Sequence, residues 1–124
     1  MIMKEHEDAL NQLYQQLKPI FDKSEQAVYL YLDDNHAKFS KKFSKLLGYE
    51  GTAIPEANFL NTLVAKKSRD ILVSSYEGAA HKLVGSCIRV NWKKKNNTEL
   101  ETSVIMVPIT YGKYVFVMHF IREV

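Results

Sequence analysis

The chain has 124 residues, of which 46% are hydrophobic and 25% are charged. These fractions are those of one globular domain, and they exclude a disordered chain, which has few apolar residues and a high net charge. The formal net charge of +3 does not require a nucleic-acid or anionic-membrane partner, and a single cysteine excludes an internal disulfide. We therefore predict a cytoplasmic protein without a membrane partner, because no apolar run approaches the roughly 20 residues of a membrane span.

Residues 1–25 carry the pattern of an amphipathic helix. Leu10 and Leu17 are seven residues apart with Leu13 between them, which gives one apolar seam along a helix. Pro19 should kink or end this helix, because proline has no N–H to donate. The seam must be covered, either by the rest of the domain or by a second copy. We predict a homodimer whose interface contains Leu10, Leu13 and Leu17.

A β-hairpin is predicted after this helix. The next segment alternates as a strand, with aliphatic side chains on one face and Tyr29 and Tyr31 on the other. Asp33-Asp34-Asn35 favours a tight turn, because short Asx side chains hydrogen-bond their own backbone. A second short strand over residues 37–39 should then pair with the first.

Several short helices are predicted in the middle of the chain. Ser40 is a good N-cap, and Gly48 suits the left-handed position that ends a helix. Pro55 suits the first turn of the next helix, in which apolar residues recur at helical spacing from Phe59. Ser68 is the predicted N-cap of a further helix.

Three antiparallel strands are predicted in the last third of the chain. Residues 84–93 alternate between two faces, and residues 100–110 and 113–122 form two longer strands joined by a turn. The last strand is apolar on both faces, which is typical of a central strand. A helix, two strands, a block of helices and three strands predict an α+β fold with an antiparallel sheet.

Two sequence segments resemble the PAS (Per-ARNT-Sim) domain family. Phe43 followed by Leu47-Gly48-Tyr49 matches the aromatic and Leu-x-Gly-Tyr pattern after the second strand of that family, and Val107-Pro108-Ile109 fits its final strands. The chain departs from the pattern where Ser40 replaces the usual Asn. The acidic His-Pro-x-Asp turn after the middle helix is also absent. The resemblance covers roughly residues 26–123, and we predict residues 26–124 to be the PAS-like domain.

The resemblance implies a fold and a function. It implies a five-stranded antiparallel sheet in the order 2-1-5-4-3, helices cupped over one face, and an N-terminal helix. It also implies a non-enzymatic sensory or protein-interaction module that regulates a partner such as a kinase or a transcription regulator. We expect a small apolar ligand between the helices and the sheet, lined by Phe43, Leu47, Leu63, Leu72, Ile88 and Val104.

Cofactor and metal sites are not expected. PAS light sensors that bind flavin covalently carry Asn-Cys-Arg-Phe-Leu-Gln after the Gly-Tyr pair, whereas residues 50–55 contain no cysteine. Haem-binding relatives present a histidine from the last helix before the sheet, and His81 near that helix is the one candidate. No histidine pair has the spacing of a metal site, so we predict no metal among His6, His36, His81 and His119.

Two alternatives to a sensory module can be stated. The first is a small curved-sheet enzyme in which His119 or Tyr31 transfers a proton, although the predicted sheet offers no carboxylate partner. On the central strand His119 should be a neutral core histidine, because a buried charge is costly. Cys87 is predicted to be a small buried or half-buried side chain that fills space in the packing.

The second alternative is polyanion binding by lysines that lack interleaved aromatic residues: Lys41, Lys42, Lys45, Lys66, Lys67 and Lys93 to Lys95.

Overall fold

The computed structural model describes residues 2–49, 54 and 58–124. Pro55, predicted to begin a helix, lies outside these residues. The elements in chain order are α1 (Ile2–Lys23), β1 (Ala27–Asp33), β2 (His36–Phe39), α2 (Lys41–Leu46), α3 (Phe59–Leu63), a 3-10 turn (Lys66–Ser68), α4 (Arg69–Lys82), β3 (Ser86–Lys93), β4 (Glu99–Tyr111) and β5 (Tyr114–Glu123).

The five strands form one antiparallel sheet in the order β2-β1-β5-β4-β3. β5 lies in the centre, where Phe120 pairs with Val28 of β1 on one side and Ile121 pairs with Val104 of β4 on the other. The predicted fold class, the strand order and the central position of the last strand are confirmed.

Both faces of the sheet are covered. The inner face of β1 and β3 contributes Tyr29 and Trp92 to a core that they share with residues of α2, α3 and α4. The outer face of β1 and β5 contributes Val28, Leu30 and Phe116 to a second core under α1. The alternation of the strands thus divides the apolar side chains between two layers of helix.

The hairpin and the helix after it are held by short polar side chains. The carboxylate of Asp33 accepts the N–H of Asn35 at 2.9 Å, which fixes the predicted turn. The Ser40 hydroxyl accepts the N–H of Phe43 at 3.2 Å, which confirms the predicted N-cap. The same hydroxyl accepts the N–H of Val28 at 3.1 Å and so also joins α2 to β1.

Two local predictions are wrong, and a third is wrong in part. Pro19 does not end helix α1, which continues to Lys23, because its last turn buries Phe21, whose ring packs edge-on against Tyr14 at 4.9 Å between centroids. The Ser68 hydroxyl does not cap α4 and instead accepts the N–H of Asn91 at 2.9 Å. Cys87 is exposed on β3.

The apolar seam of α1 packs on the outer face of its own sheet. Leu10 and Leu13 are each only 4% exposed, and Leu17 packs beside them as a partly buried side chain. The sequence allowed this seam to be covered either by the rest of the domain or by a second copy. Within a single chain, the domain itself covers it. The homodimer stays a prediction.

No helix among the described residues is long and apolar enough to cross a lipid bilayer.

We expect Ser40→Ala to lower the free energy of unfolding by about 1–3 kcal/mol, because two buried N–H groups lose their acceptor. Urea denaturation measures the change. Ser74→Ala, at an exposed position of α4, is the control and should change stability by less than about 0.5 kcal/mol. Equal effects of the two substitutions would contradict the double role of Ser40.

Candidate ligand-binding cavity

A cavity of about 230 Å³ lies between the inner face of the sheet and helices α3 and α4. β1 and the turn after it form one wall, α3 and α4 form the opposite wall, and β5 contributes one side chain. The lining residues are Tyr29, Tyr31, Leu32, Asp33, Asp34, Phe59, Leu60, Leu72, Val73, Tyr76, Glu77 and His119.

Stacked and tilted rings form the deepest wall. The His119 ring stacks on the Tyr29 ring, with 3.9 Å between centroids and 12° between planes. Phe59 of α3 lies 5.2 Å from the Tyr29 ring and 5.1 Å from the Tyr31 ring. These contacts fix the arrangement of the wall, because the neighbours of each ring restrict its orientation.

The Tyr29 hydroxyl is a buried polar group with no hydrogen-bond partner among the described residues. Burial raises the pKa of Tyr29 well above its ordinary value, so the phenol stays protonated and can both donate and accept. An unpaired buried hydroxyl costs roughly 1–3 kcal/mol. A hydrogen bond from a water molecule or a ligand atom would recover that cost.

His119 is neutral over the ordinary pH range. Its Nδ1–H donates to the carbonyl of Val117 at 3.0 Å. Burial lowers the pKa of His119 to about 3, although this hydrogen bond acts in the opposite direction. The predicted neutral histidine is confirmed, and in the neutral ring Nε2 is the acceptor. Its position in the cavity wall was not predicted.

Two further phenols stand at the α4 side of the cavity. The rings of Tyr31 and Tyr76 meet edge to face at 4.9 Å, and the Tyr76 hydroxyl donates to the carbonyl of Leu32. Burial, and then the nearby carboxylates Asp34 and Asp33, raise the pKa of Tyr31; burial and then Asp33 raise the pKa of Tyr76. Both phenols therefore stay protonated.

The more exposed part of the lining is acidic. Asp34 uses one carboxylate oxygen to accept the N–H of Leu60 at 3.0 Å, which ties α3 to the hairpin turn. Asp33 and Glu77 complete this acidic edge. Aromatic faces beside carboxylates favour a small molecule with an apolar body and a cationic or hydrogen-bond-donating group.

Comparisons with known proteins place the fold. No family model and no curated protein matches the sequence. The PAS domain of a Colwellia psychrerythraea protein superposes with a TM-score of 0.69 at 18% identity, over 90% of this chain and 97% of that one. A sensory box histidine kinase/response regulator from Burkholderia thailandensis gives 0.67 at 9% identity, over 88% and 84% of the two chains. The chain has the PAS fold.

A third solved structure is a light-oxygen-voltage domain studied with a flavin analogue. It superposes with a TM-score of 0.66 at 15% identity, over 90% of this chain and 85% of that one. At identities this low, the similarity shows the PAS fold alone.

The PAS fold brings the predicted ligand-contacting residues together, but mostly in its packed core. Leu72 lines the cavity. Ile88 is partly buried beside the core, and the four others are fully buried within it: Phe43, Leu47, Leu63 and Val104. The indole of Trp92, whose N–H donates to the Thr102 hydroxyl at 2.7 Å, fills that end of the fold and packs edge-on against Phe43.

The aromatic residues that form the cavity wall are not among the residues predicted to contact a ligand. The signal was present in β1, where Tyr29 and Tyr31 alternate with aliphatic residues and so share the inner face. The residues that meet them from α3, α4 and β5 are 28 to 90 positions further along, and no local pattern connects them.

The side chains considered for cofactors lie elsewhere. His81 is exposed near the end of α4, and Cys87 is exposed on β3. Among the residues that the structure describes, neither His81 nor Cys87 belongs to the lining of the cavity. The described residues do include one group of potential metal ligands beside the cavity, formed by His6, Asp33 and His36.

The buried His119 predicts a loss of stability in acid. The unfolded chain binds a proton near the ordinary pKa of 6.5, and the folded chain only near pH 3, so the unfolded state is favoured progressively as the pH falls through this interval. Between pH 7 and pH 5 we expect wild type to lose about 2 kcal/mol more than His119→Gln, measured by urea denaturation.

Between pH 8 and pH 7 the two proteins should change nearly in parallel, because His119 is mostly neutral in both the folded and the unfolded state there. This interval is the control. Identical losses in the acid interval would mean that His119 is not desolvated.

Proposed function

We propose that the protein is a non-enzymatic sensory or protein-interaction module. In this proposal a small molecule enters the aromatic cavity, and the occupied domain regulates a partner protein such as a kinase or a transcription regulator. The observation that carries the proposal is the cavity of about 230 Å³ whose lining includes Tyr29, a residue with a buried hydroxyl that has no partner among the described residues.

The cavity suits a compact ligand. Its volume is below the roughly 300–1,000 Å³ of sites for drug-sized compounds. The ring faces of Tyr29 and Phe59 offer apolar contact, the Tyr29 hydroxyl offers one polar contact, and Asp33 and Glu77 offer negative charge at the more exposed edge. We propose a small, mainly apolar compound, and among such compounds we expect amines to bind best.

Acid–base catalysis by the cavity residues has little support. A general acid or base works best when its pKa is near the operating pH. Burial lowers the pKa of His119 to about 3 and raises the pKa of Tyr31, so neither group exchanges protons readily at neutral pH. This favours a binding module over the small enzyme that the sequence left as an alternative.

The class of partner is proposed from the fold and from its neighbours. The Burkholderia thailandensis neighbour is a sensory box histidine kinase/response regulator, which supports a role beside a kinase. A cytoplasmic location rests on the single cysteine, which fits a reducing compartment. We propose no flavin or haem, because Cys87 and His81 lie outside the cavity lining.

The homodimer is a further part of the proposal. Because Leu10 and Leu13 pack on the chain's own sheet, a dimer that uses the seam of α1 requires the two chains to exchange this helix. The outward side of α1 still carries Ile20, which is 40% exposed.

Ligand binding is tested by a thermal-shift screen of small apolar compounds with and without an amine, followed by calorimetry. A ligand of the folded state raises the melting temperature. We expect Val73→Phe, which places a larger side chain in the cavity, to weaken binding at least about tenfold, or about 1.4 kcal/mol. Tyr29→Phe should weaken the binding of those compounds that form a hydrogen bond with the hydroxyl of Tyr29.

Ile71→Phe is the matched control, because Ile71 lies on the same helix but is exposed outside the cavity. It should bind like wild type. A screen without any stabilising compound, or compounds that bind Val73→Phe as well as wild type, would count against the proposed site.

The dimer is tested by sedimentation over a range of concentrations. We expect a wild-type dimer, and we expect Leu13→Asp to sediment as a monomer and to lose at least the roughly 2–5 kcal/mol of a buried Leu truncation. Gln15→Asp, on the exposed side of α1, should leave both properties unchanged. A wild type that is monomeric at the highest concentration contradicts the dimer.

A further inference from the structure

Three side chains with metal-ligand chemistry meet where α1 passes the β1–β2 hairpin. His6 comes from the second turn of α1, Asp33 ends β1, and His36 begins β2. One ligand atom from each residue lies within 4.8 Å of the other two. His6 Nδ1 is 3.4 Å from one carboxylate oxygen of Asp33, and His36 Nδ1 is 2.7 Å from the other.

The two separations from Asp33 are close to those in a metal site, and the two imidazoles offer ligand atoms within 4.8 Å of each other. Ligands bound at about 2.0–2.2 Å to one zinc ion lie roughly 3.0–3.5 Å from one another. The His6–Asp33 distance already falls in this range. The His36–Asp33 contact is a hydrogen bond, and it needs to open by only a few tenths of an ångström when an ion replaces the proton between the two atoms.

Neighbouring groups orient the three side chains. The N–H of Asn35 donates to Asp33, and the His6 ring is packed edge-on against the rings of His36 and Tyr114, at 5.5 and 5.1 Å between centroids. Such outer contacts are what fix the direction of ligands in known metal sites.

The cluster is also accessible. The side chain of His36 is 11% exposed, that of His6 27% and that of Asp33 40%. An ion can therefore enter from solvent, and water molecules can complete its coordination. The nearby carboxylate of Glu5 is paired with Lys113 at 3.1 Å and is not needed as a ligand.

We propose that His6, Asp33 and His36 bind one divalent transition-metal ion, with Zn²⁺ as the best-suited ion, and that this ion fastens α1 to the β1–β2 hairpin. Two imidazole nitrogens and one carboxylate oxygen suit zinc, whereas Mg²⁺ and Ca²⁺ prefer oxygen ligands alone. On binding, the neutral His36 ring carries its proton on Nε2, which frees the Nδ1 lone pair for the ion.

Because of the position of Asp33, a bound ion would affect the cavity as well as join α1 to the hairpin. Asp33 also lines the cavity, so an ion on its carboxylate reduces the negative charge at the cavity edge. This consequence rests on the proposed function: when the cavity takes a cationic ligand, metal occupancy and the binding of that ligand oppose each other.

The test uses the full chain after treatment with a chelator. Zn²⁺ is titrated by calorimetry, and Co²⁺ is followed by its visible absorption, which reports nitrogen and oxygen ligands directly. We expect one ion per chain and a rise in melting temperature with Zn²⁺, because the ligands come together only in the folded state. His6→Gln and Asp33→Asn should each weaken binding at least about tenfold.

His81→Gln is the control, because it removes an exposed histidine distant in sequence from the cluster. It should bind Zn²⁺ like wild type. Circular dichroism checks that each variant is folded. Asp33→Asn keeps an oxygen acceptor for the Asn35 N–H, so a loss of Zn²⁺ binding in this variant reflects the lost carboxylate and not a lost turn. Absence of Zn²⁺ binding, or equal affinity in wild type and His6→Gln, would overturn the proposal.

Discussion

The burial of the sheet on both faces is the constraint on which the rest of this structure depends. β1 places Val28 and Leu30 outward and Tyr29 inward, and all three are fully buried. β5, in the centre, does the same with Met118 outward and His119 inward. Because neither face can be left in water without a loss of roughly 25 cal/mol per Å² of apolar area, helices must cover both. Helix α1 is thus a structural necessity of the outer face.

The inner face of the sheet combines tight packing with a cavity. At one end Trp92 is satisfied by the Thr102 hydroxyl, and the surrounding side chains close around it. Towards α4 the wall of rings leaves space beside Val73 and Leu72, and the hydroxyl of Tyr29, a residue of this wall, has no partner among the described residues. The inner core is thus filled around Trp92 and leaves space between β1 and α4.

The turn Asp33-Asp34-Asn35 connects the features to which we assign function. Asp34 accepts the N–H of Leu60 and so positions α3 at the cavity. Asp33 lines the same cavity and also faces the imidazoles of His6 and His36. A change at the cavity and a change at α1 can therefore act on one carboxylate, which gives the N-terminal helix a direct physical link to the cavity.

Local chemistry in the sequence was sufficient to predict the strands, the Ser40 cap and the left-handed Gly48, because each depends on periodicity or on a single backbone conformation. The resemblance to PAS domains added the strand order. Tertiary structure alone decided that α1 continues past Pro19, that Tyr29 and His119 stack in a cavity wall, and that His6 approaches Asp33 across 27 positions. Such contacts depend on which surfaces the folded chain brings together, and a local pattern carries no information about side chains that meet only when the sheet and its helices pack.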